Sequence, residues 1–168
     1  MQQFLSVRDV ADLPALVAEA RRLKAGDVPD IGRGKTLGLL FFNPSLRTRL
    51  STQVAAAKLG MDVITMNVDR DGWRLETREG VVMDGDTAEH VRDAAAVLGR
   101  YCDVLGVRAF AGLQNPAEDY GDHVLHQFVR YAGVPVVSLE SPVRHPLQSL
   151  ADLITIEEHR HRPRPRVV

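Results

Sequence analysis

Residues 35–49 read Lys-Thr-Leu-Gly-Leu-Leu-Phe-Phe-Asn-Pro-Ser-Leu-Arg-Thr-Arg, and this stretch decides the fold class. Its first part, 35–42, is a near-continuous apolar run, which is typical of a strand buried on both faces of a parallel sheet. Asn43 and Pro44 end the run, and a helix is predicted from about Leu46 to Leu59, with Gly60 as its stop. The stretch therefore predicts a buried strand that leads directly into a helix.

The same alternation of strand and helix continues on both sides of this stretch. Apolar segments typical of strands lie at 61–68, 103–109 and 134–139. Helical spacing of apolar residues predicts further helices over 12–25, from Asp86 to about Tyr101, over 119–132, and from about His145 to Glu158. Asp12 is a plausible N-cap of the first, and Asp86 with Glu89 resembles a capping box. We therefore expect an α/β fold with a parallel central sheet flanked by helices.

Function is expected in the loops that follow the strands. Right-handed crossovers place the carboxyl ends of parallel strands along one edge of the sheet, and ligands bind beyond that edge. The loops concerned are 43–49, 69–86, 108–116 and 140–148. The polar segment 69–86 is predicted to be a long loop, and loops of this length in compact domains are often functional.

Composition excludes several classes of protein. The 168 residues suit one domain, and 45% hydrophobic with 26% charged residues excludes a disordered chain. A net charge of −1 argues against a domain-wide surface for polyanions. The lone Cys102 cannot form an internal disulfide, and neither a signal-like start nor a bilayer-length apolar stretch is present. We expect a cytoplasmic protein with no membrane partner.

The start of the helix after residue 44 has the chemistry of an anion site. Ser45 and Thr48 supply hydroxyls, and Arg47 and Arg49 supply cations, beside the free N–H groups of a helix N-terminus. The alternative is a solvated basic helix start that is capped by Ser45. The residues alone leave both interpretations open.

Two other strand ends carry polar side chains that can converge on the same ligand. Arg108 ends the third predicted strand and is either a further anion ligand or a surface arginine. His145 and Gln148 lie on one face of the first turn of the last helix, where they could polarise a carbonyl oxygen. The alternative is that His145 caps this helix and Gln148 is solvated.

Together these segments resemble the aspartate and ornithine carbamoyltransferases. Residues 45–49 match the Ser-x-Arg-Thr-Arg signature of that family, and residues 145–148 match its His-Pro-x-Gln motif. The closest resemblance is to the branch that acts on N-acetylornithine or N-succinylornithine, because of residues 41–52, Trp73 and the segment from Gly80 to Asp86. At 49–52 the chain reads Arg-Leu-Ser-Thr where the ordinary family has Arg-x-Ser-Phe, a departure that the succinyl branch shares.

The resemblance implies roles for individual residues, without a metal or an organic cofactor. The implied carbamoyl phosphate ligands are Ser45, Leu46, Arg47, Thr48, Trp73, Arg108, His145, Pro146, Leu147 and Gln148. Arg108, His145 and Gln148 are implied to be catalytic, with Arg108 bridging phosphate and carbamoyl group and His145 polarising the carbonyl. The implied contacts with the acylated ornithine are Glu140, Phe110 and Ala88.

The resemblance also implies an acceptor and an assembly. Acetylornithine enzymes have a glutamate at the position of Ala88, and the succinyl branch has a proline. Because a carboxylate there would repel a succinyl carboxylate, alanine favours N-succinyl-L-ornithine over the alternative, N-acetyl-L-ornithine. A homotrimer with shared active sites is implied, in which Trp73 and the 69–90 loop reach a neighbour's site. The alternative for Trp73 is a packing anchor within its own loop.

The ends of the chain suggest a division into domains. Residues 1–158 are expected to form a carbamoyl phosphate-binding domain, and residues 159–168 a linker and the start of a missing amino-acid-binding domain. An alternative function is therefore a chain that only binds carbamoyl phosphate. Four arginines and two histidines at 159–166 could bind nucleic acid, but an exposed chain end is favoured. His123 and His126 lack a third ligand, so no metal site is predicted.

Overall fold

The computed structural model describes residues 3–110, 112–113, 116–163 and 166, without the side chain of Glu118. The strands are β1 (Gln3–Phe4), β2 (Thr36–Phe41), β3 (Asp62–Asn67), β4 (Leu75–Glu76), β5 (Glu89–His90), β6 (Val104–Arg108) and β7 (Val136–Glu140). The helices are α1 (Leu13–Lys24), α2 (Arg47–Lys58), α3 (Val91–Tyr101), α4 (Pro116–Tyr120), α5 (His123–Tyr131) and α6 (Pro146–His159). A five-stranded parallel sheet in the order β1-β7-β6-β2-β3 confirms the predicted α/β class.

The central strand β2 is buried on both faces, as its apolar run predicts. Leu37, Leu39 and Phe41 lie in the core cluster that also contains Ala56 of α2 and Leu139 of β7. Leu40, between them in sequence, lies in the other cluster, which contains residues of α3 and α5. Since successive side chains of a strand point to opposite faces, β2 needs helices on both sides of the sheet.

The strand order creates a crevice at the carboxyl end of β2. From β2 the chain moves to β3 on one side, and then returns to β6 and β7 on the other side. The loops after β2 and β6 therefore diverge in opposite directions from neighbouring strands. Such a reversal is where open α/β sheets bind their ligands.

The predicted start of α3 is wrong. The helix begins at Val91 with His90 as its N-cap, and the Nδ1 atom of His90 accepts the N–H of Arg92 at 3.0 Å. Asp86 instead pairs with Arg74. The cause is a second, two-stranded parallel sheet, in which β4 pairs with β5 and keeps the chain extended up to His90. The segment 69–86 is therefore partly strand rather than wholly loop.

The predicted helix over 119–132 is divided into α4 and α5. Asp122 between them has a φ of 49°, in the left-handed region, which interrupts the helix. The apolar spacing of this stretch places Leu125, Phe128 and Ala132 in the core, and Val129 is partly buried against them. The predicted N-cap Asp12 is confirmed, because its Oδ1 accepts the N–H of Ala15 at 2.9 Å.

The short strand β1 near the start of the chain was not predicted, because two residues are too few to show an alternation of apolar and polar side chains. No helix in the described ranges is long and apolar enough to cross a bilayer. Residues 164, 165, 167 and 168 lie outside the described part, so the predicted linker at 159–168 is described only up to Pro163 and at Arg166.

The contact between α3 and α5 gives a test of the packing. A Cβ atom at Gly99 would overlap the carbonyl oxygen of Ala132. In an open helix, glycine to alanine stabilises by up to about 1 kcal/mol. Here we expect Gly99→Ala to lower the free energy of unfolding by about 1–3 kcal/mol, because the backbone must move to relieve the overlap. Urea unfolding measures this change.

Gly85→Ala is the matched control, because nothing lies within 4 Å of the Cβ atom it would add. We expect the midpoint of urea unfolding of Gly85→Ala to stay close to that of the wild type. A Gly99→Ala protein as stable as the wild type would show that α3 and α5 pack less closely than described.

Candidate functional site

A cleft of about 920 Å³ lies beyond the carboxyl ends of β2, β6 and β7. It occupies the crevice that the strand order creates, and it collects residues from three separate segments of the chain. They are Pro44, Ser45, Leu46, Arg47, Thr48, Ser51, Thr52, Arg108, Glu140, His145, Leu147, Gln148 and Ala151. Most of the residues predicted for the anion and carbonyl sites are therefore brought together.

The first turn of α2 forms one wall of the cleft and has no side-chain cap. Its N-cap residue is Leu46, and none of the described side chains accepts a hydrogen bond from the first turn. The alternative in which Ser45 caps this helix is therefore wrong. Arg47 is exposed and has no ion pair or hydrogen bond with any described side chain. Free N–H groups beside an unpaired guanidinium favour an anion at this point.

A β-bulge places Arg108 in the same cleft. The pairing of β6 with β7 is regular up to Val107 and Ser138, and then shifts so that Arg108 lies opposite Glu140. Arg108 is only 8% exposed, so the alternative of a surface arginine is wrong. Bulges of this kind re-aim side chains next to binding sites.

The guanidinium of Arg108 is held from two sides. Its Nε donates to Oε2 of Glu140 at 3.1 Å, and its Nη1 donates to the carbonyl oxygens of Asn43 at 3.2 Å and Pro44 at 2.8 Å. The ring of Phe110 lies 4.0 Å from the guanidinium carbon. Asn43 also accepts the N–H of Phe110 through Oδ1 at 2.8 Å. Asn43 was predicted as a strand breaker in a functional loop but not as a site residue, and it contacts both Arg108 and Phe110.

His145 is both a helix cap and a residue of the cleft. Its Nδ1 accepts the N–H of Gln148 at 3.3 Å, which makes it the N-cap of α6. Because Nδ1 is the acceptor, the proton of the neutral ring lies on Nε2, which can donate to a ligand. The side-chain amide of Gln148 donates to Asp152 at 2.7 Å. Leu147 lines the cleft, whereas Pro146 is buried.

The structure does not bring every predicted ligand into the cleft. Trp73 is 61% exposed and lines a separate, apolar pocket of about 310 Å³. Its Nε1 donates to Oε2 of Glu89 at 2.8 Å. Ala88 is exposed and its N–H donates to the carbonyl of Arg74. Neither Trp73 nor Ala88 lines the cleft that contains Arg47 and Arg108.

Four residues of the cleft were not among the predicted ligands, and one of them, Pro44, lies between β2 and α2. Ser51 and Thr52 lie one turn after Arg47 and Thr48 on α2, and Ala151 lies one turn after Leu147 on α6. The i, i+4 spacing along each helix was the signal that could have found these three.

The segment with Trp73 is tied to the domain by buried polar contacts. The carbonyl oxygen of Thr77 accepts from Nε2 of His123 at 2.8 Å and from the amide of Gln127 at 2.5 Å. Glu76 is 6% exposed, and its hydrogen bonds from Arg78 lower the pKa of this carboxyl to about 2. His123 thus has a structural partner, and the described residues contain no group of three His, Cys, Asp or Glu that could hold a metal ion.

The lowered pKa of Glu76 predicts an acid-sensitive segment. A depressed pKa contributes stability above pH 4.5, and that contribution is lost as the pH falls from 4.5 towards 2. Over this pH range the unfolding midpoint of the wild type should fall. We expect the midpoint of Glu76→Gln to fall much less, because this variant lacks the carboxyl group that titrates. Trp73, the only tryptophan of the chain, reports the transition by fluorescence.

Glu79→Gln is the control for this measurement, because Glu79 is an exposed glutamate that lies 3.7 Å from Arg130. It should keep the wild-type dependence on pH. If Glu76→Gln and the wild type lost stability equally between pH 4.5 and 2, the pairing of Glu76 with Arg78 would not stabilise this segment.

The comparisons with known proteins agree on one family. Residues 2–158 match the carbamoyl-P binding domain of aspartate/ornithine carbamoyltransferase, which confirms the resemblance seen in the sequence. The N-succinylornithine carbamoyltransferase of Bacteroides fragilis (strain 638R) is 49% identical, and the match covers 100% of this chain and 54% of that relative. The N-acetylornithine carbamoyltransferase of Xanthomonas campestris pv. campestris is 40% identical over 95% of this chain and 47% of the relative.

Solved structures agree with these sequence relatives. A crystal structure of a mutant N-acetyl-L-ornithine transcarbamylase, complexed with carbamyl phosphate and N-succinyl-L-norvaline, matches with a TM-score of 0.90 and 40% identity. The match covers 95% of this chain and 48% of that structure. The chain thus spans about half the length of the curated relatives it matches.

Proposed function

The chain belongs to the aspartate/ornithine carbamoyltransferase family, and on that premise we propose that its cleft binds carbamoyl phosphate for transfer of the carbamoyl group to an N-acylated ornithine. The proposal rests on one observation: Arg47, which has no side-chain partner among the described residues, lies at an uncapped helix start in one cleft with Arg108. Relatives named N-succinylornithine and N-acetylornithine carbamoyltransferase support it. So does a structural relative that was solved with carbamyl phosphate.

The phosphate end of the ligand belongs at the start of α2. There Ser45, Leu46, Arg47 and Thr48 line the cleft, and they offer two hydroxyls, backbone N–H groups and a guanidinium. Backbone N–H groups and the helix dipole favour negative charge at that position. Arginine adds charge-assisted hydrogen bonds, which are about twice as strong as neutral ones.

The carbamoyl end belongs between Arg108, His145 and Gln148. Arg108 reaches both ends of the ligand, and the Nε2–H of His145 donates to the carbamoyl oxygen. The side-chain amine of ornithine attacks the carbonyl carbon, and a tetrahedral oxyanion forms. The C–O bond to phosphate then breaks while the new C–N bond remains, and the proton that the attacking nitrogen loses leaves with the phosphate. Fixed donors that face the developing oxyanion lower the barrier, and the proposed reaction uses neither a metal nor an organic cofactor.

The proposed acceptor is N-succinyl-L-ornithine, which gives N-succinyl-L-citrulline and phosphate in arginine biosynthesis. Ala88 supports this acceptor, since it carries no charge that would repel the succinyl carboxylate. Solved variants of an acetylornithine enzyme in which one glutamate is replaced by alanine or serine contain N-succinyl-L-norvaline. The proposed acceptor contacts are Glu140, which lines the cleft, and Phe110, whose ring contacts Arg108. N-acetyl-L-ornithine is the alternative acceptor, supported by the relatives with that name.

We also propose a homotrimer with shared sites. Trp73 and Ala88 are exposed and do not line the cleft of their own chain, as residues that serve a neighbour's site would. Leu46, Leu50 and Val54 are 54–74% exposed and follow one another at i, i+4 spacing on α2, which gives an apolar surface for a subunit contact.

A second candidate function is binding without turnover. The chain spans about half the length of its relatives. In this case residues 1–158 form the carbamoyl phosphate-binding domain and residues 159–168 lead out of it. Phosphate release from carbamoyl phosphate and acceptor, measured with this chain, separates the two functions.

Arg47→Gln tests the binding site. We expect carbamoyl phosphate affinity to fall about 10- to 100-fold, because a charged hydrogen bond contributes about 1.5–3 kcal/mol. Calorimetric titration measures it. Arg8→Gln, an exposed arginine outside the cleft, is the control and should bind as the wild type does. Equal affinity of Arg47→Gln and wild type would refute the proposed phosphate position.

Ala88→Glu tests the acceptor in a chimera that joins this chain to the remaining half of the Bacteroides fragilis relative. We expect the unchanged chimera to favour N-succinyl-L-ornithine. Ala88→Glu should lower kcat/KM for that acceptor at least about tenfold, because the added carboxylate repels the succinyl group. Ala88→Gln is the matched uncharged control and should lose less. A preference of the unchanged chimera for N-acetyl-L-ornithine would contradict the assignment of N-succinyl-L-ornithine as the acceptor.

A further inference from the structure

We propose that Glu140 is a built-in competitor for Arg108: it occupies the guanidinium while the cleft is free, and phosphate must displace it. The displaced carboxylate then becomes available to an N–H donor of the acceptor. The inference rests on the proposed function, and it adds a coupling between the two halves of the site.

The contacts of Arg108 carry the first step. Oε2 of Glu140 lies 3.1 Å from Nε and 3.0 Å from Nη2, so one carboxylate oxygen faces two nitrogens of the guanidinium. Nη1 is occupied by the carbonyl oxygens of Asn43 and Pro44. Within the described part of the chain, Nη2 therefore has no partner except Glu140, and any anion that approaches Nη2 meets that carboxylate.

Burial and charge carry the second step. The side chain of Arg108 is 10% exposed and that of Glu140 29%, so water screens this pair much less than a surface pair. Arg47, across the cleft, has no anionic partner among the described residues. A phosphate that bridges the two arginines must therefore lie near a carboxylate of the same charge. Repulsion between them opposes anion binding until the contact of Glu140 with Arg108 weakens.

The consequence is a coupling between the binding of the two ligands. Oε1 of Glu140 makes no hydrogen bond within the described residues, so this carboxylate is only half used while it pairs with Arg108. Once phosphate holds the guanidinium, both oxygens can accept from an amide or ammonium group. Binding free energies are coupled reciprocally, so each ligand strengthens the binding of the other.

Glu140→Gln tests the inference with inorganic phosphate as the probe. The glutamine keeps an oxygen that accepts from Arg108 and removes the charge. We expect phosphate to bind about three- to tenfold more tightly to this variant at low ionic strength, and the gain to shrink as salt is added. Glu157→Gln is the control, because it removes the same charge from an ion pair with Arg21 at 2.7 Å that lies outside the cleft. Its phosphate affinity should equal that of the wild type.

A second measurement needs no variant of Glu140. The ¹⁵N resonance of the Arg108 Nε, assigned by its absence in Arg108→Lys, should shift as phosphate is added to the wild-type chain. An unshifted resonance with bound phosphate, or a Glu140→Gln protein that binds phosphate no more tightly, would overturn the inference. The proposed function would still stand if the wild type binds carbamoyl phosphate. If carbamoyl phosphate fails to bind while Glu140→Gln still tightens inorganic phosphate, the proposed function fails and the competitor remains. No phosphate binding to either protein overturns both.

Discussion

The burial of β2 on both faces is the constraint on which the rest of the structure depends. Leu37, Leu39 and Phe41 need cover on one face, and Leu40 needs it on the other. A strand buried in this way must lie inside the sheet, with paired neighbours on both sides. In the sheet, β3 pairs with one side of β2 and β6 pairs with the other side. The crevice at the end of β2 is therefore a consequence of the core.

The part of the molecule that could be predicted is the part set by local pattern. Three patterns can be recognised in short stretches of sequence, and the structure reproduces them. They are the apolar run of β2, the helical spacing of α1 and α6, and the stop at Gly60. The parallel order follows from alternation, so it also brought Ser45, Arg108 and His145 to one cleft, as predicted. A short stretch of sequence was sufficient to predict each of these elements, because each one buries its own apolar face.

The part that could not be predicted is set by contacts between distant segments. The extended chain at Glu89 and His90 depends on its pairing with β4, which overrides the capping pattern of Asp86. The break at Asp122 depends on a backbone conformation that most residues avoid. The bulge that puts Arg108 opposite Glu140 depends on the register of two strands more than 30 residues apart, so their ion pair has no signal in either segment alone.

The most direct test of this account is a map of backbone amide shifts as carbamoyl phosphate is added to the ¹⁵N-labelled chain. The account predicts that the largest shifts fall on the N–H groups of Arg47, Thr48 and Arg49, the first turn of α2, because these amides have no hydrogen-bond partner among the described residues. Smaller shifts should follow at Gln148, whose N–H donates to His145. Shifts confined to the pocket beside Trp73, with the first turn of α2 unmoved, would contradict it.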